Sequence, residues 1–170
     1  MAVEQIETER ILLIPYHINL IEKIQEEDFS IFDEMNLIPA KDWADHDVLE
    51  TLPRILINLG KVINPTGFES YMIIVKEKNE IIGDIGFKGQ PDAAGRIDLG
   101  YGIVESARKR GYAREACTGL IKWALGNVQV NEITAKCDVE NTGSINLLKS
   151  LKFERKEIEK NMINWSLMRN

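Results

Sequence analysis

The sequence predicts a mixed α/β fold, with one domain spanning residues 1–170. Segments with apolar residues at helical spacing alternate along the chain with short β-rich runs, and this is the pattern of a sheet flanked by helices. No linker or internal repeat interrupts the pattern. A chain of 170 residues is also long enough to bury a core without disulfides or metal.

The first third of the chain predicts one strand and two helices. A short apolar run at 11–14 ends at Pro15 and is predicted to be a strand. Isoleucines at helical spacing predict a helix over 18–27. Residues 47–61 form a second amphipathic helix, which glycine and an Asn-Pro-Thr-Gly run bring to an end. The segment between them, 28–46, is predicted to be irregular, and its aromatic and Met side chains either face a substrate or pack on the core.

The middle of the chain changes to strand-like periodicity. Residues 71–75 and 81–87 are β-rich, and the charged run between them predicts a hairpin. A turn over 90–95 then leads to a third strand at 97–104. Three consecutive antiparallel strands therefore form the predicted centre of the sheet.

The last third returns to alternating helices and strands. Residues 111–126 carry apolar side chains at i, i+3, i+4 and i+7, which predicts an amphipathic helix. A strand at 133–137 and a short helix over 141–151 follow. Two terminal strands near 153–158 and 162–168 complete a mostly antiparallel twisted sheet of about seven strands flanked by about four helices.

Composition restricts the partners. The net charge of −6 argues against general nucleic-acid binding, and no apolar run is long enough to cross a bilayer, so we expect a cytoplasmic protein. Cys117 and Cys137 are too few for a disulfide framework and are predicted to be buried free thiols.

The predicted strand at 97–104 has one bare face. Asp98, Gly100 and Gly102 alternate with apolar residues, so they share the side opposite to the apolar one. Two glycines on one face indicate either a bulge or close crossing, or a groove where an extended ligand lies against the main chain. The turn at the end of this strand favours the groove.

That turn, residues 106–114, places four cations in an otherwise acidic chain: Arg108, Lys109, Arg110 and Arg114. Without them the remaining charge is −10. A strand followed by a basic, glycine-containing turn and a helix is suited to binding a phosphate, because the first-turn N–H groups and the helix dipole point to one spot. The turn lacks the further glycine of the dinucleotide fingerprint and the Gly-Lys-Ser/Thr of the P-loop.

Several motifs in this order resemble the GNAT superfamily of acetyl-CoA-dependent N-acetyltransferases. Within that superfamily, they are similar to the branch of the ribosomal-protein N-terminal (alanine/serine) acetyltransferases. The segment 98–116 matches the branch's central motif, including its Arg/Gln-x-x-Gly-x-Gly/Ala turn. Residues 82–87 resemble the preceding strand, and 8–13 the opening strand. The run Asp-Val-Glu-Asn-Thr-Gly-Ser at 138–144, followed by Leu-Lys-Phe, resembles the later Asn-x-x-Ser…Leu-Gly-Phe motif.

The resemblance implies the roles of the cofactor-binding residues and a GNAT-like acyl-CoA N-acyltransferase fold. Main-chain groups of Ile103 and Val104 would pair with the pantetheine arm, and Asn141 would contact the cofactor near the acetyl end. The pyrophosphate would lie on the turn made by Arg108, Lys109, Arg110, Gly111, Tyr112 and Ala113. Asn141 is equally suited to cap its helix.

Acetyl transfer to an amine also requires removal of a proton. An alkylammonium has a pKa of about 10, so the attack calls for a base. Asp98, on the bare face, is the first candidate, followed by Glu105 and Asp84. Ser144 could protonate the departing thiolate or only bond the helix backbone. Many superfamily members carry a Tyr acid four residues later, where this chain has Leu148.

The sequence therefore predicts an enzyme that transfers an acetyl group from acetyl-CoA directly to a primary amine, either a protein N-terminus or a small molecule. The alternative is an acyl-CoA-binding sensor without catalysis. Acceptor choice is expected to depend on residues 28–70. Neither a nucleic-acid nor a membrane partner is expected, and the chain is predicted to be a monomer or homodimer. The residues around His46 indicate an acidic helix start rather than a metal site.

Overall fold

A computed structural model describes residues 4–170 of the chain, and within them five helices and nine strands form. The helices are α1 (Ile18–Gln25), α2 (Ser30–Glu34), α3 (His46–Gly60), α4 (Tyr112–Leu125) and α5 (Thr142–Ser150). The strands are β1 (Ile6–Glu7), β2 (Ile11–Pro15), β3 (Ile38–Pro39), β4 (Ser70–Val75), β5 (Glu80–Phe87), β6 (Arg96–Ile103), β7 (Glu132–Asp138), β8 (Glu154–Glu159) and β9 (Met162–Met168).

All of the strands belong to one sheet with the order β1-β2-β4-β5-β6-β7-β9-β8, and β3 pairs beside β5. The pairs are antiparallel except for β6–β7 and β3–β5, which are parallel. The sheet therefore has the predicted mixed α/β architecture and mostly antiparallel pairing. The seven predicted strands and four predicted helices all occur.

The additional elements lie where the sequence predicted irregular structure or none. Strands β1 and β3 have two residues each and α2 has five, too short to show a period. Within the segment 28–46, Phe32 and Trp43 are buried and their rings meet edge to face. Of the two interpretations of this segment, packing on the core is therefore correct for these two aromatic side chains.

Helices cover the two sides of the central strands differently. Helix α3 lies over the side of β6 that bears Gly100 and Gly102. On the opposite side, Tyr101 lies beside Cys117 of α4 and Cys137 of β7. Both cysteines are buried free thiols, as predicted. The bare face of β6 is thus the side on which a cavity remains.

Candidate active site

The bare face predicted on β6, which carries Gly100 and Gly102, lies next to residues of the paired strand β5 on the same side of the sheet. The register opposes Asp84 to Gly102 and Gly86 to Gly100, so all four residues share one face. A Cβ added at Gly102 would lie 3.7 Å from Asp84 Oδ1, and one added at Gly100 would meet only Lys88 Cε at 3.7 Å. The glycines therefore leave open space directly beside the Asp84 carboxylate.

A cavity of about 290 Å³ occupies this space, between the strands and α3. Helix α3 contributes Asp47, Val48, Thr51 and Arg54, which recur at helical spacing and so face the same way. Asp45 precedes the helix as its N-cap, and its Oδ1 accepts a hydrogen bond from Val48 N at 3.0 Å. The acidic helix start predicted near His46 is therefore present, and it forms one wall of the cavity.

Asp84 is the most perturbed carboxylate in the described chain. Its residue is 8% exposed, and its Oδ2 has no hydrogen-bond partner. Burial raises the pKa of Asp84 to about 7; the negative charge of Asp45 adds to the rise, and the Arg54 guanidinium opposes it. Near neutral pH this carboxylate is therefore divided between its acid and base forms.

Tyr16 is close enough to Asp84 for the charge of this carboxylate to affect its phenol. Its side chain is fully buried and its hydroxyl has no hydrogen-bond partner among the described residues. Burial, followed by the charge of Asp84, raises the pKa of this phenol well above its usual value. Tyr16 therefore stays protonated, so it can donate a hydrogen bond but cannot act as a base.

The basic turn forms as predicted at the end of β6. Lys109 and Gly111 both have positive φ angles, of 61° and 80°, and Gly111 is the N-cap of α4. No side chain caps this helix, so the N–H groups of its first turn are available to a ligand. The positive end of the helix dipole and the cations of the turn act at the same place.

Two contacts that the sequence did not reveal hold this turn. Arg10, immediately before β2, pairs with Glu115 of α4 (Nε–Oε2, 2.7 Å), and its Nη1 donates to the carbonyl of Arg110 at 3.0 Å. On the other side, Ser106 donates from its N–H to Asp42 Oδ2 at 2.9 Å, and its hydroxyl also donates to Asp42. The sequence marks residues 8–10 only as part of an opening-strand motif. The partners of Arg10 and Ser106 are distant in sequence, so no local pattern indicates these contacts.

Strands β6 and β7 separate next to the turn. Their last paired residues are Leu99 and Ala135. Within β6 the main-chain groups alternate in direction: those of Val104 and Asp98 bond toward β5, so those of Tyr101 and Ile103 face the gap. A polar main-chain edge therefore lines the gap between the two strands.

This alternation bears on the predicted contact of Val104. The N–H of Val104 donates to Ile82 O at 2.9 Å, and its carbonyl accepts from Ala107 N at 3.1 Å. Both main-chain groups of Val104 therefore have protein partners, whereas those of Tyr101 face the gap beside Ile103. The Ile103 carbonyl accepts a hydrogen bond from Arg108 Nε at 3.0 Å, so Arg108 already spans from the turn to this edge.

Asp98, the first candidate for the base, lies outside the cavity lining. Its Oδ2 pairs with Lys88 Nζ at 2.6 Å, and its Oδ1 accepts from Thr134 Oγ1 at 3.0 Å. Asn141 caps α5 by accepting from Ser144 N at 3.0 Å, and Ser144 is half-buried in the first turn of that helix. Of the three candidates for the base, Asp84 is the one that lines the cavity.

The sequence over residues 20–154 matches a family described as an acetyltransferase (GNAT) domain. The chain belongs to the GNAT acetyltransferase family. The "Uncharacterized N-acetyltransferase YjdG" of Bacillus subtilis is 35% identical over 148 residues, which cover 87% of this chain and 88% of that protein. The predicted family and the predicted class of enzyme, an N-acetyltransferase, are thereby confirmed.

Solved structures of GNAT proteins share the fold. The acetyltransferase (GNAT family) from Bacillus anthracis superimposes with a TM-score of 0.66 at 19% identity, covering 98% of this chain and 99% of that one. RimL, a ribosomal L7/L12 α-N-protein acetyltransferase in complex with coenzyme A, gives 0.68 at 14% identity, with 97% and 98% covered. The suspected branch is therefore represented among the structural neighbours.

Neither a metal-binding cluster nor a membrane-spanning helix occurs among residues 4–170. No group of three or more His, Cys, Asp or Glu side chains in residues 4–170 is arranged to hold a metal ion. None of the helices described here is long and apolar enough to cross a membrane.

Proposed function

We propose that this GNAT enzyme transfers an acetyl group from acetyl-CoA directly to a primary amine, with Asp84 as the general base. One observation carries the proposal: strand β6 connects an uncapped, basic helix start to a cavity that contains a buried, unpartnered carboxylate. An anion site and a proton acceptor at two ends of one groove are what this two-substrate reaction requires.

The donor side of the groove fits a long phosphorylated molecule. The first-turn N–H groups of α4 and the charges of Arg108, Lys109 and Arg110 would hold the pyrophosphate. The main-chain groups of Tyr101 and Ile103 would pair with the pantetheine arm, and Asn141 would contact it near the acetyl end. Acetyl-CoA supplies the electrophilic thioester carbonyl when bound.

Asp84 then removes the proton of the attacking amine. A base with a pKa near 7 is partly ionised at neutral pH and still basic enough to accept a proton. The bare surface at Gly102 lets the amine approach the carboxylate, because a side chain there would fill the space. We propose Ser144, at the start of α5, as the donor to the thiolate, since Leu148 provides no acidic group.

Thermal unfolding with and without acetyl-CoA tests the donor site. A ligand present at about 100 times its dissociation constant adds about 2.7 kcal/mol to the free energy of unfolding, so the midpoint should rise clearly. Gly111→Asp should abolish this rise, because it places a negative charge at the pyrophosphate position. Gly111→Asn is the matched control, since Asn has a similar size, carries no charge and tolerates positive φ.

The two variants share any strain at position 111, so their difference reports the charge alone. Binding that survives in Gly111→Asp, or wild-type protein that acetyl-CoA does not stabilise, would refute the donor site. Release of free CoA thiol with an amine panel then separates the transferase from the sensor. Tight binding without thiol release for any amine would favour the sensor.

A further inference from the structure

We infer that the acceptor is a small zwitterion, a free amino acid or close analogue, whose amine binds at Asp84 and whose carboxylate binds at Arg54. This inference rests on the proposed function and specifies its acceptor. It depends on the size of the cavity, on the arrangement of charge along α3 and on the hydrogen-bonding state of the two side chains.

The cavity is small for a peptide. Its volume of about 290 Å³ lies at the lower end of the range for small-molecule sites. The cavity beside Asp84 lies between a wall formed by Asp45 and α3 and a wall formed by strand residues that include Gly100 and Gly102. An acceptor of amino-acid size fits this space, whereas a polypeptide needs an open channel for the chain that follows its N-terminus.

The charged residues by which α3 and its N-cap line the cavity have opposite signs. Asp45 and Asp47 lie at the start of the helix, and Arg54 lies two turns further on. At 1.5 Å per residue, Asp47 and Arg54 are about 10 Å apart along the axis. Arg54 is close enough to lower the pKa of Asp84. The negative charge of Asp45 and the guanidinium of Arg54 thus act on the Asp84 carboxylate in opposite directions.

Arg54 is the cation that this cavity leaves available. Its side chain has no ion pair or hydrogen bond with another residue in the range 4–170, although it lines the cavity. Arg108, the other lining cation, donates to the Ile103 carbonyl. A guanidinium presents a planar fork of donors that matches a carboxylate in two-point contact. A second ammonium group on the acceptor would instead meet repulsion at Arg54.

Asp84 provides the independent second group. Its carboxylate is more than nine-tenths buried, faces the cavity and has an oxygen without a partner. A buried charge of this kind is costly unless a ligand pairs with it. An α-amino acid satisfies Asp84 with its ammonium and Arg54 with its carboxylate. A simple alkylamine would leave Arg54 without a partner.

Matched acceptor pairs test the inference. Each of several amino acids is compared with its decarboxylated amine and with the dipeptide that begins with the same residue, and spermidine serves as the dication. We expect kcat/KM for the best amino acid to exceed that of its decarboxylated amine by about 100-fold, because loss of a charged hydrogen-bonding group leaves Arg54 without its partner.

The variant Arg54→Gln should remove this preference by raising KM for the amino acid, so that kcat/KM for the amino acid falls to within about threefold of that for its decarboxylated amine in the same variant. Arg155→Gln, on the exposed edge strand β8, is the charge-matched control and should keep the preference. Calorimetric binding of the amino acid to the enzyme–CoA complex gives a readout without turnover, and Arg54→Gln should weaken it by a similar factor.

The possible failures can be told apart. Equal rates with the amine and the amino acid, or better rates with spermidine or the dipeptide, would overturn this inference and leave the proposed transferase intact. Loss of acetyl-CoA binding in Arg54→Gln would assign Arg54 to the donor and also overturn it. Wild-type protein that neither binds acetyl-CoA nor turns over any amine would refute the proposed function itself.

Discussion

Asp84 and Asp98 lie on the same face of two neighbouring strands, but their surroundings differ. The Asp98 side chain is 27% exposed and is paired with Lys88 and bonded to Thr134. Asp84 is buried, and one of its oxygens has no partner. The contrast indicates that position on a strand face does not determine the pKa of a carboxylate. Burial without a hydrogen-bond partner raises that pKa toward neutrality, as at Asp84.

The largest expected effect comes from removing each carboxylate in turn. Asp84→Asn should lower kcat/KM by about 10²–10⁴-fold, because it removes the proton acceptor and keeps the shape. Asp98→Asn should change kcat/KM by less than about fivefold, since an exposed ion pair contributes little. Steady-state kinetics on both variants checks this, with acetyl-CoA affinity as the control. A greater loss in Asp98→Asn would reverse the assignment of the base.

The two carboxylates should also differ in their effect on stability as pH changes. The folded pKa of Asp84, about 7, is above its unfolded value of 3.8, so the native state binds the extra proton between these values. Below about pH 4 the bound proton adds about 2–4 kcal/mol to the free energy of unfolding relative to high pH. This stabilisation is lost as the pH rises from about 4 through 7. Asp84→Asn should therefore be more stable than the wild type at pH 8 but not at pH 4.

Denaturant unfolding at the two pH values measures this difference. The kinetic counterpart is a rise in kcat/KM as pH increases through about 7, because the base must be ionised. In Asp98→Asn, the pH dependence of stability and the pH dependence of kcat/KM should both remain those of the wild type. An Asp84→Asn enzyme whose pH–stability curve matches that of the wild type would show that Asp84 titrates normally.

Methyl groups added to the bare face of β6 should produce a smaller difference. Gly102→Ala places a Cβ 3.7 Å from Asp84 Oδ1, in the space for the amine, and should raise the acceptor KM about 10-fold. Gly100→Ala places its Cβ near Lys88 and should raise KM only about threefold. Acceptor titrations at saturating acetyl-CoA compare them, and equal effects would mean that the amine does not approach over Gly102.

The smallest effect is expected for the ion pair itself. Lys88→Met breaks the contact with Asp98 at the exposed end of the bare face, and should lower the free energy of unfolding by less than about 1 kcal/mol. Salt should screen the contribution further. Urea unfolding at low and high ionic strength measures both. A loss of several kcal/mol would mean that Asp98 belongs to a more buried network than its exposure indicates.

Much of this arrangement could be predicted from the sequence, because it depends on local patterns. The basic turn, the bare face of β6 and the capping residue Asn141 all follow from spacing within a few residues. The different surroundings of Asp84 and Asp98 could not be predicted, because Lys88 faces Asp98 only in the observed strand register. A register shift of one residue would exchange such partners, and no local pattern specifies it.

The same limit explains why the sequence did not reveal the main-chain partners of Val104 or the contacts of Arg10 and Asp42. Whether a main-chain group faces β5 or the gap depends on which residue pairs are hydrogen-bonded, and that is a property of the assembled sheet. Arg10 and Glu115 are 105 residues apart in sequence, and Asp42 and Ser106 are 64 apart. Side chains at such separations meet only after the fold has formed.

The contact between Asp42 and Ser106 has a consequence for how the two substrates affect each other's binding. Ser106 belongs to the turn that would hold the donor, and Asp42 is three residues before Asp45 in the wall of the acceptor cavity. A donor that fixes the turn also fixes this wall, so the acceptor should bind more tightly after the donor. Linkage requires the reverse effect to be equally large. We therefore expect synergistic binding, in which each substrate lowers the dissociation constant of the other by the same factor.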